Sequence, residues 1–198
     1  MRKTFIGGLV GGIILFVWGA VAWKVLPLHE PSMHRMSNED AVMNTMRTSM
    51  GAKGVYFFPA MVEDSKGLSA DEQKAAESAW MQKYRQGPTG MIVYDPNGSD
   101  PLMPSQMVVG LILSILLSSL AAWFLVRSTA VASPYIMRVT FCGMLGILIS
   151  FGSHLLMWNW MGFPLDYTTA MVADTIIGWL LAGLGIGAIV KSPKMEAA

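Results

Sequence analysis

The sequence predicts an all-α transmembrane bundle of four spans, with a small α/β extracytoplasmic domain inserted between the first and second spans. The 198 residues are 53% hydrophobic and only 14% charged, with a mean hydropathy of +0.46. That composition is too apolar for an ordinary soluble domain of this size. Four apolar stretches also reach the roughly 20 residues that a helix needs to cross a bilayer.

The predicted spans divide the chain into four parts. We expect spans at residues 5–23, 107–126, 139–158 and 167–190. The corresponding domains are a first transmembrane helix at 1–26, the extracytoplasmic domain at 27–106, a three-helix transmembrane region at 107–190 and a cytoplasmic tail at 191–198.

The first span has an alternative interpretation. Arg2, Lys3, the apolar run and the Ala-Val-Ala sequence at 20–22 also fit a signal peptide, whose cleavage would leave three spans. The run is longer than the usual apolar region of about 7–15 residues, and Gly7 and Gly11 have the spacing of a helix-packing motif. We therefore predict a retained helix whose exposed glycine face contacts a partner or a second copy.

The inserted segment carries the signals of a small folded domain. Ser37 and Asp40 indicate a helix start, and that helix should end near Gly51. The stretches 54–59 and 90–94 are rich in β-branched and aromatic residues between Gly and Pro, which is typical of strands. Between them, a capping box formed by Ser69 and Glu72 predicts a helix to about Arg85. The predicted order is helix, strand, helix, strand.

Small residues mark the predicted contact faces of the spans. Helices in lipid associate through close packing of Gly, Ala and Ser rather than through a hydrophobic drive. In the last three spans such residues recur mostly at fourfold spacing, which places them on one helix face. They are Gly110, Ser114 and Ser118 in the second span, Gly146 and Ser150 in the third, and Gly178, Gly183 and Gly187 in the fourth.

Two ionisable residues lie within the predicted spans. Asp174 in the fourth span costs ~2.5–3.5 kcal/mol at the centre of a bilayer unless it is paired or protonated. His154 in the third span continues the small-residue stripe, and it lies as far before Pro164 as Asp174 lies after it. If the two spans form a hairpin about Pro164, the two side chains have equal depth. We predict that they form an intramembrane polar pair, directly or through a water.

That pair has structural and functional interpretations. It can simply hold helix register through hydrogen bonds, or it can carry protons or bind a cation in transport. Transporters usually show internal repeats or interrupted helices, and four spans without repeats do not fit that pattern. A haem site using His154 would need a second buried histidine, which we do not expect because His29 and His34 lie in the inserted segment. A copper site at the Met and His residues of 33–36 is also a weaker alternative, because Met at helical spacing usually fills a core. No metal and no cofactor are therefore predicted.

Several classes of protein are excluded by motif and charge. The net charge of +1 and the lack of a basic patch with aromatic residues argue against nucleic-acid binding. The sequence has no nucleophile elbow, zinc-protease, Walker or dinucleotide motif, so we do not expect an enzyme. With the single Cys142 there is no intramolecular disulfide.

The basic residues set the predicted orientation. Arg2, Lys3, Arg127, Arg138, Lys191 and Lys194 flank the spans on one side, whereas the link 159–166 has no Lys or Arg. The positive-inside rule then places both termini in the cytoplasm and the long segment outside. Trp and Tyr residues gather at the predicted outer boundary, as an interfacial belt would.

The chain resembles a known group of proteins. The sequence 159–167, followed by Asp174 and Gly178, together with 25–30 after the first span, is similar to small uncharacterised bacterial inner-membrane proteins. The resemblance covers most of the chain and implies a bacterial inner-membrane location, but it transfers no active or binding residue.

The sequence therefore predicts a non-enzymatic, multi-pass inner-membrane protein that acts as an accessory or interaction partner of a larger membrane assembly. Besides the lipid bilayer, its expected partner is another membrane protein or a second copy. The alternative is a small transporter or proton-coupled protein that uses His154 and Asp174.

Overall fold

The structure is a computed structural model that describes residues 2–61 and 67–191. The chain forms two compact units, one from Met1–His34 with Asp100–Ala198 and the other from Arg35–Ser99. We call them the helical unit and the inserted unit. Four helices in the described residues are long and apolar enough to cross a membrane, which confirms the predicted number of spans and is consistent with a multi-pass membrane protein.

Seven α-helices and two strands are seen in the described residues. In chain order they are α1 (Arg2–Lys24), α2 (Glu39–Ser49), β1 (Gly54–Phe58), α3 (Ala70–Gln86), β2 (Gly90–Tyr94), α4 (Pro104–Arg127), α5 (Tyr135–Ser150), α6 (Leu156–Met161) and α7 (Leu165–Ile189). A π turn at Phe151–Leu155 joins α5 to α6, so that the third span is continuous as Tyr135–Met161.

The helical unit is arranged around α1 and α7. α1 packs against α4 on one side and α7 on the other, α7 packs against α5, and α4 and α5 make few contacts. Neighbouring helices run antiparallel, because Gly8 and Gly12 of α1 lie against Ser119 and Ile115 of α4 respectively. Arg2, Arg127 and Lys191 therefore lie towards one end of the unit, which we call the basic end.

The glycines of α1 are used within the chain, so the prediction of an exposed glycine face was wrong. Gly7 and Gly11 are buried against α7, where an added Cβ would lie 2.6 Å from Val190 or Ile186 side-chain carbons. The second glycine pair, one residue further along, is buried against α4. Because the overlapping motifs point in two directions, α1 can pack closely on two helices at once.

Small residues also line the contact between α5 and α7. A Cβ added at Gly146 would lie 2.9 Å from Trp179, and one at Gly183 would lie 2.9 Å from Cys142. Ser150 is buried and donates its hydroxyl hydrogen bond to the Gly146 carbonyl at 2.8 Å. These contacts allow the two backbones to approach closely.

The remaining small residues of the predicted set lie on helix contacts as well. Ser118 of α4 is fully buried, Ser114 donates to the Gly110 carbonyl at 2.8 Å, and both Ser114 and Gly110 are half-buried. Gly178 faces the Trp18 ring of α1, and Gly187 faces Arg138 of α5. At each of these positions the residue is small enough for the backbones of neighbouring helices to approach closely.

Arg138 closes the basic end of the α5–α7 contact. Its side chain is buried, and Nε donates to the Gly187 carbonyl at 2.8 Å while Nη1 donates to the Ser133 carbonyl. Gly187 lies in the last turn of α7, where carbonyls lack intrahelical partners and the helix dipole is negative. The guanidinium thus satisfies a helix end in addition to its role as a basic flank.

The inserted unit contains α2, α3 and a two-stranded antiparallel sheet, in the predicted order. The strands pair from Gly54 opposite Tyr94 to Phe58 opposite Gly90. The predicted capping box is confirmed, because Ser69 and Glu72 bond each other's backbone N–H groups. The cap of α2 is Asn38 rather than Ser37, since the Asn38 side chain accepts from the Ala41 N–H.

Candidate functional site

Asp174 lies in an apolar helix and is held by the first helix. It is nine residues beyond the start of α7, about 14 Å along the axis. The Trp18 indole Nε1–H of α1 donates to Asp174 Oδ1 at 2.6 Å and also approaches the Asp174 backbone carbonyl at 3.1 Å. Close approach is possible at this level because Gly178, one turn further on, leaves room for the Trp18 ring.

The second partner of Asp174 is His29, which the sequence analysis assigned to the extracytoplasmic domain. His29 Nε2 lies 3.2 Å from Asp174 Oδ2, and the residue is only 3% exposed. Its ring stacks on Trp23, with centroids 4.0 Å apart and planes 19° apart. The chain after α1 therefore turns back and inserts an imidazole between its own aromatic residue and α7.

A short 3₁₀ turn holds His29 in this position. The turn Glu30–Ser32 follows it directly, and the Ser32 hydroxyl donates to the His29 carbonyl at 2.9 Å. The turn contacts α7. The 3₁₀ turn therefore holds the His29 backbone against α7, and the Trp23 ring holds the His29 imidazole beside the Asp174 carboxyl group.

The groups around Asp174 limit the hydrogen bonds that it can form. The Trp18 indole is a donor only, so Oδ1 of Asp174 is an acceptor. Nε2 of His29 lies opposite Oδ2 and donates to it in the tautomer that carries a hydrogen on Nε2. Nδ1 of His29 is buried and has no hydrogen-bond partner among the described residues.

His154 does not hydrogen-bond Asp174 directly, so the direct form of the predicted pair was wrong, and a link through a water stays a prediction. His154 Nε2 lies 3.0 Å from Thr175 Oγ1, whereas both Asp174 oxygens are used by α1 and the segment that follows it. The reason is that α7 lies between two helices. Asp174 and Gly178 belong to the face of α7 that meets α1, and Thr175 belongs to the face that meets α5.

The centre of the hairpin lies within two or three residues of Pro164, which is the precision that a sequence allows for the ends of elements. Gly146 faces Thr175, Ile176 and Trp179, which places the centre of the α5–α7 hairpin about two residues before Pro164. The π turn at Phe151–Leu155 then interrupts the fourfold spacing that linked His154 to the Gly146 stripe. A single π turn inserts an extra residue, and it rotates everything after it about the helix axis.

Both partners of Asp174, Trp18 and His29, were missed, as was Trp23, which stacks on His29. The sequence does contain a signal for His29, because it follows α1 by only five residues and comes directly after Leu26, Pro27 and Leu28. Trp18 and Trp23 were assigned to an interfacial belt because Trp usually lies there. Nothing in local periodicity indicates that the chain reverses after Lys24.

The arrangement stabilises a chain reversal at the end of α1. A carboxylate with two N–H donors is satisfied, and removing one donor from a buried charge is costly. The histidine joins the segment after α1 to the middle of α7, while Trp18 joins α1 to the same carboxylate. In the described residues, no group of three or more His, Cys, Asp or Glu side chains could hold a metal ion.

Comparison of the chain with protein-family models, with curated proteins and with solved structures gives no match. The resemblance of residues 159–167 to bacterial inner-membrane proteins therefore stays a prediction.

Proposed function

We propose that the protein is a non-enzymatic bacterial inner-membrane protein that acts as an accessory or interaction partner in a larger membrane assembly. The observation that supports this proposal most directly is the lack of buried residues among those described in the inserted unit. Among the residues described between Arg35 and Ser99, none is buried. A domain of this length normally needs a core, and one that lacks it gains stability by covering its apolar surface with a partner.

The surface that a partner would cover is one face of the sheet. Val55 and Phe57 of β1 are about half exposed, and Val93 of β2, directly opposite Val55, is 77% exposed. Side chains that alternate along paired strands share a face. We call Val55, Phe57 and Val93 the apolar sheet face. A two-stranded sheet is marginal in water by itself, and in the described residues no third strand pairs with either outer edge of this sheet.

A structural role for Asp174 fits the geometry better than transport. Both carboxylate oxygens already lie within hydrogen-bond distance of protein groups, so a carried ion would compete with Trp18 and His29. Towards the basic end, the core around Leu125, Cys142 and Ile186 is apolar apart from buried hydroxyls such as that of Ser118. Asp174→Asn should therefore alter assembly or stability, and loss of a pH-dependent flux in that variant would instead favour the transport alternative.

The orientation is proposed from charge. Arg2, Lys3 and Arg127 lie towards the basic end, and the positive-inside rule places that end in the cytoplasm. The inserted unit is then extracytoplasmic and meets partners outside the membrane. A cysteine introduced at an exposed position of α3, such as Gln82, should react with a membrane-impermeant maleimide in intact spheroplasts if this orientation holds.

Photocrosslinking tests the partner surface. A benzoylphenylalanine replacing Val93 or Phe57 in the native membrane should give discrete adducts, because both side chains lie on the apolar sheet face. The same probe at Gln82, an exposed polar position on α3, is the matched control. An adduct of twice the 21.6 kDa chain mass identifies a second copy, and any other discrete mass identifies another protein. The partner proposal is wrong if Val93, Phe57 and Gln82 give the same diffuse pattern.

A further inference from the structure

A small cavity lies where the third and fourth spans meet, on the side of the helical unit away from the basic end. Its volume is about 200 Å³. The π turn and α6 supply Ser153, His154 and Met157, and the start of α7 with the residues before it supplies Phe163, Tyr167 and Met171. Polar, aromatic and thioether groups thus converge on one space, separate from the Trp18–His29–Asp174 cluster.

The π turn gives this cavity its polar groups. Ser153 and His154 both belong to the turn at Phe151–Leu155, which contains no proline that would force the distortion. Single π turns within α-helices are frequent at functional sites, where they change the direction of a side chain at a cost in helix regularity. Of the five residues in this turn, the two that line the cavity, Ser153 and His154, are also the two polar ones.

Hydrogen-bonding capacity is left over in the cavity wall. His154 uses Nε2 for the Thr175 hydroxyl at 3.0 Å. Within the described part of the chain, neither Nδ1 of His154 nor the hydroxyl of Ser153 has a hydrogen-bond partner. In a helix pair that is long and apolar enough for a membrane, an unused imidazole nitrogen beside a cavity is a specific feature, because polar groups in lipid require partners.

The size and lining of the cavity select the kind of ligand. An apolar cavity of about 150 Å³ accommodates a benzene ring. The space here is slightly larger, and the rings of Phe163 and Tyr167, with centroids 5.5 Å apart, offer aromatic surface. The exposed Trp158 and Trp160 of α6 are typical of the boundary between lipid tails and head groups. A ligand with a polar ring and an apolar tail suits such a depth.

We propose that this cavity binds the ring of a lipid-soluble molecule that carries a hydroxyl or carbonyl group, which is the chemistry of a membrane quinone or quinol head group. His154 Nδ1 forms the hydrogen bond to that group, and the Phe163 and Tyr167 rings pack against the ring face. The tautomer of His154 decides the preferred form. If Nε2–H donates to Thr175, Nδ1 accepts from a hydroxyl; if Thr175 donates, Nδ1–H donates to a carbonyl.

Binding of ubiquinone with a decyl tail tests the inference. The purified full chain in lipid nanodiscs is titrated calorimetrically with the oxidised and with the reduced probe, and we expect saturable binding of at least one form. Met171→Trp fills the cavity and should weaken binding more than tenfold. Met144→Trp introduces the same side chain at a 62% exposed position of α5 and should leave affinity unchanged.

His154→Leu should weaken binding about tenfold, as expected for the loss of one hydrogen bond. Far-UV circular dichroism and a melting curve check that each variant is folded. If Met171→Trp alone is unfolded, the comparison of His154→Leu with Met144→Trp decides. Equal uptake by all the folded proteins means that the probe only partitions into the lipid, and this result overturns the proposal, as does a lack of saturable binding. The photocrosslinking experiment at the apolar sheet face does not depend on whether the cavity binds the probe, so the two proposals can fail separately.

Discussion

Replacing Gly12 by Ala should push α1 and α4 apart and destabilise the helical unit. A Cβ built on Gly12 overlaps the Ile115 Cα of α4 and lies 2.7 Å from the Ile115 backbone nitrogen and 2.8 Å from its Cγ1. Ordinary carbon contacts are about 3.5–4.0 Å, so the backbones must move apart by about 1 Å. Backbone atoms cannot turn aside as a flexible side chain can. Overpacking of this kind costs about 1–3 kcal/mol.

Unfolding in mixed micelles with increasing dodecyl sulfate measures this cost. The matched control is Gly19→Ala in the same helix, because a Cβ at Gly19 meets nothing within 4 Å. The midpoint of unfolding, expressed as the mole fraction of dodecyl sulfate, should be clearly lower for Gly12→Ala than for the wild type. For Gly19→Ala the midpoint should equal or exceed that of the wild type, since Ala is a better helix former than Gly. If the two variants have the same midpoint, the close α1–α4 approach is not a determinant of stability.

Three other results are expected. His29→Leu should lower the free energy of unfolding by about 3–5 kcal/mol, because it removes one of the two partners of the Asp174 carboxyl group. Adding Asp174→Leu should restore part of that loss. A double-mutant cycle that gives no coupling energy between the two positions would contradict the pair. Arg138→Met should cost about 1.5–3 kcal/mol by removing the hydrogen bond to the last turn of α7, and Arg138→Lys should not recover it, because the two carbonyls are bound by different nitrogens of one guanidinium. The Ser69 backbone and hydroxyl hold the pKa of Glu72 below its ordinary value, so this capping contact contributes stability above the unfolded-state pKa and loses it as pH falls through the folded-state pKa. Helicity measured by far-UV circular dichroism should therefore decline on acidification more in the wild type than in Glu72→Gln.

Local patterns were sufficient for the elements. Span positions follow from hydropathy and length, and each of the four observed helices extends over most of its predicted range. The capping box of α3 was predictable because Ser69 and Glu72 are three residues apart and act within one turn. The cap of α2 was placed one residue early, since Ser37 and Asn38 are both good caps and the chain approaching the helix decides between them.

Helix contacts could be predicted as faces but not as pairs. Gly178 and Gly183 were both recognised as packing residues of the fourth span, yet one faces α1 and the other faces α5. A stripe of small residues states that something approaches closely, and it carries no information about which helix that is. The same limit explains why Gly7 and Gly11 were assigned to an external partner although α7 covers them.

By itself, the sequence determined that an acid lies in an apolar helix and that it requires a partner, because a carboxylate in hydrocarbon is costly whatever surrounds it. Only the tertiary structure decided that Trp18 and His29 satisfy Asp174 while His154 bonds Thr175. The physical reason is that hydropathy and periodicity are properties of neighbouring residues. The choice of partner depends on which helices flank α7, on the rotation introduced by one π turn, and on a chain reversal after α1 that no local pattern records.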